Sequence, residues 1–200
     1  MLKRNAGIAG AIVISLSWAV TASGQVAKPG TTDASSANPV VTMETTMGTI
    51  KIELFADKAP ITAKNFIAYV NAGFYNGTII HRVDPNFVIC GGGYTPELAL
   101  KPAMPPIQNE SKNGLKNLRG TLSMARYEDP NSATSQFFIN LNNNSNLDPA
   151  GVQAGYAVFA KVIEGMEVVE KIGQVKTAPK SVFQTLPVQP IVIKLAKVLP

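Results

Sequence analysis

The sequence predicts a β-rich domain, either a closed barrel or a sandwich of seven or eight short strands capped by two helices. Two observations carry that expectation. Short apolar runs recur between turns, and the 200 residues include 16 Gly and 14 Pro, mostly between those runs. Only two stretches break the pattern and read as helices, the first on a clear 3.6-residue period.

Val40 to Thr45 and Thr49 to Leu54 read as two strands of a hairpin around Met47-Gly48. Ile50, Ile52 and Leu54 alternate with Lys51 and Glu53, the period-two pattern of a strand with one buried face. The period then changes. Ala63, Phe66, Ile67 and Val70 line one stripe of a helix, with Pro60 suited to its first turn and Gly73 to its stop. Ile79 to Val83 and Phe87 to Cys90 are strands joined by Asp84-Pro85-Asn86, turn chemistry, and followed by Gly91-Gly92-Gly93.

From Tyr94 to Lys116 the chain is expected to be irregular, because Pro96, Pro102, Pro105 and Pro106 exclude helix and disfavour central strands. So long a loop often belongs to a binding surface. Gly120 to Arg126 is the next strand and Tyr127 to Ser135 a polar loop. In the strand Gln136 to Asn140, Gln136 and Phe138 share one face while Phe137 and Ile139 take the other. Asn142 to Asn146 is expected to be a solvated loop, Tyr156 to Val162 a strand, Glu164 to Ile172 a short helix and Pro190 to Val198 the closing strand. No element is assigned between Ile172 and Pro190.

The N-terminus has a different character. Lys3 and Arg4 precede an apolar run from Ala6 to Val20, and Thr21-Ala22-Ser23-Gly24 follow, the layout of a secretory signal peptide over residues 1–24. The run is short for a membrane span and diluted by Gly7, Gly10, Ser15 and Ser17. Residues 25–38 are small and polar and read as a disordered linker, so the folded domain is expected over residues 39–200. We therefore expect a periplasmic protein with no stable membrane association after cleavage.

Net charge is +5, and loss of Lys3 and Arg4 with the signal leaves +3, too little and too dispersed to argue for nucleic acid. One cysteine, Cys90, forbids an internal disulfide and a cysteine-based zinc site. With His81 as the single histidine, no metal cluster is expected.

Arg82 stands out, an ionised guanidinium set among Ile80, Val83, Phe87 and Val88. A charge on an apolar surface is costly unless it is paired or functional. His81, its neighbour on a strand, is expected to face away from it and to pack structurally.

Four ordered blocks resemble the cyclophilin-type peptidyl-prolyl cis-trans isomerases. They are His81-Arg82-x4-Phe87-x3-Gly91-Gly92, Gly120 to Ala125, Ser135-Gln136-Phe137-Phe138-Ile139, and Tyr156 to Val162, and the likeness runs from about Val40 to the C-terminus. The resemblance implies an all-β fold, a closed eight-stranded antiparallel barrel capped by two α-helices, with the active groove on its outer face and no cofactor. It implies that Arg82 is the catalytic arginine and that Phe87, Val88, Phe138 and Leu147 line a proline pocket. Ala125 and Gln136 would flank the substrate backbone, Gln136 counting with Arg82 as catalytic, and Tyr156 stands where many members have histidine.

Four positions depart from the usual pattern: Cys90 for glutamine, Val88 for methionine, Ile80 for phenylalanine and Asn146 for tryptophan or phenylalanine. The glutamine helps to hold the arginine, so Cys90 bears on turnover, and Asn146 bears on cyclosporin binding. The function implied is isomerisation of Xaa-Pro bonds to assist folding, with proline-containing peptides and unfolded or folding proteins as partners and a monomer as the working form. The alternative is a binding module of the same fold with little turnover. Cys90 and His81 lack a third orienting group, so a thiol hydrolase is a distant third.

Overall fold

A computed structural model describes residues 38–200 of the protein; the expected signal peptide and the expected linker up to residue 37 lie outside the described residues. The strands, in chain order, are β1 (Val40–Thr45), β2 (Gly48–Leu54), β3 (Ile79–Asp84), β4 (Val88–Gly91), β5 (Thr121–Met124), β6 (Phe137–Asn140), β7 (Val158–Glu164), β8 (Thr177–Lys180), β9 (Phe183–Pro187) and β10 (Ile191–Val198). Two helices, α1 (Pro60–Asn71) and α2 (Met166–Gly173), accompany them.

Eight of the strands close into one barrel in the order β1-β10-β3-β4-β6-β5-β7-β2. Every neighbouring pair is antiparallel. Closure pairs the edges that an open sheet would expose. The barrel is filled by side chains at alternate positions: Ile50, Ile52 and Leu54 of β2 are all buried in the core, as their spacing predicts. Both helices turn their apolar faces into that same core, α1 through Ala63, Phe66, Tyr69 and Val70, α2 through Val168, Val169 and Ile172. Phe66 is central there, with its ring centroid 5.1 Å from Tyr75, 5.1 Å from Phe159 and 5.7 Å from Phe137.

The long loop 94–116 works as a clasp. Helix α1 has no side-chain cap of its own. The Glu110 carboxylate supplies one from a distance, accepting from the Ile61 and Thr62 amides at 3.1 and 2.7 Å and from the Thr62 hydroxyl at 2.6 Å. This satisfies orphan donors at the helix start and sets a negative charge at the positive end of its dipole. Further along, Tyr69 Oη accepts from the Met104 amide at 2.8 Å.

One supersecondary unit escaped the sequence reading. β8 and β9 pair as an antiparallel hairpin outside the barrel. Its strands are largely exposed, with Pro179 and Pro187 inside them, so they lack the apolar alternation that signals a half-buried strand.

Candidate active site

The outer wall of the barrel carries a second, smaller apolar cluster. On β4, Ile89 points into the core while Val88 and Cys90 point out; on β6, Phe137 and Ile139 point in and Phe138 points out. Val88, Cys90 and Phe138 form the buried heart of the outer cluster, and Phe87, Ala125, Leu147 and Tyr156 pack against it. These are the six apolar or aromatic positions expected at the site, together with Cys90. Phe138 meets Tyr156 edge-on at 5.5 Å, and the Arg126 guanidinium lies over the other ring, 4.7 Å from the Tyr156 centroid.

Strand register sets the cation beside this hollow. Arg82 stands opposite Cys90 in the β3–β4 pair, and Cys90 stands opposite Phe138 in the β4–β6 pair. With strands about 4.8 Å apart, the three make one row across the outer face. Arg82 also lines a cleft of about 500 Å³ with Gln136, His81, Asp84 and the β9 residues Phe183 to Thr185. Gln136 reaches this cleft because position 93 is glycine; a Cβ there would sit 2.6 Å from Gln136 Cγ. Gly92 has φ of +84°, and a Cβ on it would meet the Phe137 ring at 2.8 Å.

His81 departs from its expected orientation. The pairing skips a residue between Ile80 and Arg82, a β-bulge, so two residues of β3 oppose one step of β4. Ile80 and Val83 both enter the core, and His81 and Arg82 both line the outer cleft. The structural role expected for His81 fits its surroundings: it is 7% exposed and stacks on Tyr94 and Phe183, with centroids 4.9 and 5.6 Å away. Burial, reinforced by the Arg82 charge, lowers its pKa from 6.5 to about 4, so the ring is neutral at ordinary pH.

Arg82 is paired. Its Nε donates to Asp84 Oδ2 at 2.8 Å and its Nη2 donates to the same oxygen. Thr185 Oγ1 of β9 donates to the other carboxylate oxygen at 2.8 Å. Partial burial opposes the charge on Arg82, but the acidic groups of Cys90, Asp84 and Tyr156 more than offset it and raise its pKa. Burial likewise pushes the Cys90 thiol up to about 12, against the pull of Arg82, which makes it a quiet apolar residue rather than a nucleophile.

The 142–146 segment is only partly the solvated loop expected. Asn144 is buried, and its Nδ2 donates to the Phe87 carbonyl at 2.9 Å and to Asn140 Oδ1 at 2.8 Å. A one-turn 3₁₀ helix, Ser145–Leu147, follows and carries Leu147 to the pocket. Beneath it, Asp148 Oδ1 accepts from Asn117 N and Nδ2 at 2.8 and 2.9 Å, and Asn117 accepts from buried Ser123 at 2.7 Å. An Asn-rich run thus ties the pocket rim to the barrel.

Comparison with known proteins places this architecture. The family model described as cyclophilin type peptidyl-prolyl cis-trans isomerase/CLD matches residues 40–198. The chain belongs to the cyclophilin-type peptidyl-prolyl cis-trans isomerase family. The chain is 55% identical to a peptidyl-prolyl cis-trans isomerase of Acinetobacter baylyi over 157 residues, 78% of this chain and 84% of the relative. It is 49% identical to peptidyl-prolyl cis-trans isomerase B of Escherichia coli over 78% of this chain and 96% of the relative. A solved Cryptosporidium parvum cyclophilin, crystallised in the presence of the dipeptide Ala-Pro, superposes with a TM-score of 0.68 at 29% identity, covering 80% of this chain and 99% of that one.

Within this cyclophilin, sequence reasoning missed Asp84, Thr185 and Arg126 as neighbours of the site. Asp84 lies two residues from Arg82 on one strand, a spacing that could have paired them; reading it as turn chemistry hid that. Thr185 and Arg126 had no local signal.

Proposed function

We propose that this cyclophilin catalyses rotation about Xaa-Pro bonds of unfolded or folding proteins outside the cytoplasm, with Arg82 as the donor that favours the twisted state. The observation that carries the reading is the row of Arg82, Cys90 and Phe138, a guanidinium beside an apolar hollow.

Prolyl isomerisation needs no nucleophile and no proton relay. Its barrier of ~18–20 kcal/mol is the loss of amide resonance as the C–N bond twists. At mid-rotation the proline nitrogen turns pyramidal and gains a lone pair. A donor aimed at that nitrogen binds the twisted amide more tightly than either planar isomer, which is what lowers the barrier. Arg82 suits the task. Its Nε edge is held by Asp84, and among the described residues three N–H groups of the guanidinium carry no bond. Phe87, Val88, Phe138 and Leu147 take the prolyl ring and keep water from it, so each donor counts for more. Ala125, Gln136 and Tyr156 border the substrate backbone, with Gln136 on the Arg82 side of the cleft. The chemistry calls for no cofactor or metal.

Export rests on the basic, apolar and small-residue sequence of residues 1–24. In this reading residues 1–24 are cleaved off, residues 25–38 are a linker ahead of the folded domain, 39–200, and the domain works in the periplasm as a monomer without nucleic acid or membrane.

The test is an isomerisation assay on a Xaa-Pro peptide with the mature domain and with Arg82→Ala. Loss of a charged hydrogen bond is worth about 1.5–3 kcal/mol, so kcat/KM should fall roughly ten- to a hundredfold. A variant within twofold of wild type would remove Arg82 from the role. A wild type that binds proline peptides without turning them over would make the domain a binding module.

A further inference from the structure

We infer that Asp84, clamped by Thr185 of the β8–β9 hairpin, is the positioning residue of the Arg82 guanidinium. The inference rests on the reading of Arg82 given above and adds what aims it.

Arg82 is a long side chain on the outside of a barrel, with half its surface exposed. Left alone it would sample many rotamers, and a donor that must meet one nitrogen at one moment of rotation loses rate when misaimed. The residue opposite it, Cys90, is small and buried, and its thiol sulfur is only a weak acceptor, to which the guanidinium makes no hydrogen bond. Among the described residues the only group hydrogen-bonded to the Arg82 guanidinium is the Asp84 carboxylate. Both bonds go to Oδ2 and engage one edge of the guanidinium, Nε and Nη2, which restrains its plane and leaves Nη1, among the described residues, without a partner on a side chain that lines the cleft.

Asp84 is itself held. Thr185 donates to Oδ1, so the carboxylate is gripped at both oxygens, by β3's own arginine on one side and by β9 on the other. The hairpin that brings Thr185 belongs to no barrel pairing, and a two-stranded hairpin is marginal by itself. It docks beside the cleft through Phe183, whose ring meets Tyr94 edge-on at 4.9 Å and His81 at 5.6 Å. The bulge that turns His81 outward supplies the surface on which Phe183 lands, while Arg82 is the next residue along. Phe183 and Thr185 therefore seat the hairpin, and Thr185 passes its position to the guanidinium through Asp84.

The test compares Asp84→Ala, Asp84→Asn and Thr185→Val with wild type, using kinetics and the NMR signal of the Arg82 Nε–H. Asp84→Ala should lower kcat about tenfold with KM within twofold, since the pocket for the prolyl ring is untouched. Asp84→Asn, which keeps shape and one acceptor oxygen, should fall between it and wild type, and Thr185→Val should lose about two- to fivefold. The Nε–H signal should be sharp and slowly exchanging in wild type and exchange much faster in Asp84→Ala. In an Arg82→Ala background Asp84→Ala should cost nothing further. An unchanged Nε–H signal, or an equal loss of rate with and without Arg82, would overturn the positioning role. If the Nε–H signal responds as stated while Arg82→Ala keeps full activity, the positioning stands and the catalytic reading of Arg82 falls. Asp84→Asn guards against misfolding of the alanine variant, and its melting temperature should stay near wild type.

Discussion

The His81 imidazole meets the Tyr94 ring edge-on, with centroids 4.9 Å apart, and its Nδ1 is buried without a hydrogen-bond partner. This contact is built for a neutral ring. The folded pKa of about 4 lies below the ordinary 6.5, so the unfolded chain takes up a proton that the folded one refuses. The contribution is fully present above pH 6.5 and is lost as pH falls toward 4. Urea unfolding at pH 7 and pH 4 should show a loss from this residue of about 3 kcal/mol, at ~1.4 kcal/mol per pKa unit. His81→Phe, which keeps the stack, should flatten the profile by that amount; an unchanged slope would mean His81 charges in the folded state.

Cys90 should be inert to thiol reagents in the native protein. It is 7% exposed, and its pKa near 12 leaves almost no thiolate at pH 8. Ellman's reagent should titrate close to nothing in buffer and one thiol in guanidinium chloride. Rapid reaction without denaturant would place the sulfur at the surface.

Phe138→Ala should damage binding and stability together. The ring is 5% exposed, packs edge-on against Tyr156 and forms the floor of the outer cluster. Truncating a buried phenylalanine costs about 3 kcal/mol or more, readable as a shift in the denaturant midpoint. Loss of about 1.4 kcal/mol of contact with the prolyl ring alone would raise KM tenfold. An unaltered KM would move the proline pocket elsewhere.

Glu110→Ala should destabilise without touching catalysis. The carboxylate caps α1 from 48 residues away, and losing such a cap costs about 1–2 kcal/mol. For a domain of this size that is a fall of several degrees in Tm with kcat/KM unchanged. A loss of activity at constant Tm would give the 94–116 loop a role in the groove.

The barrel was largely legible because its signals are local. Ile50, Ile52 and Leu54 alternate, and Ala63, Phe66, Ile67 and Val70 repeat as a helix must, each pattern carried within one element. The opposite faces of Phe137 and Phe138 followed from period two alone. What stayed hidden depends on register or on distant partners. The bulge at His81 inserts one residue into the pairing, which no composition announces, and it reverses the expected direction of that side chain. The exposed β8–β9 hairpin buries too little to leave an apolar pattern. Asn144 looked solvated because a run of asparagines is the same string whether its amides meet water or Phe87 and Asn140.

Side chains fill the lumen of the barrel, so Arg82 and the hollow around Phe138 lie on its exterior. A ligand there is met sideways rather than swallowed. A loop whose two ends are anchored in a far larger partner could touch the furrow without a free terminus, and the barrel need not deform to admit or release it.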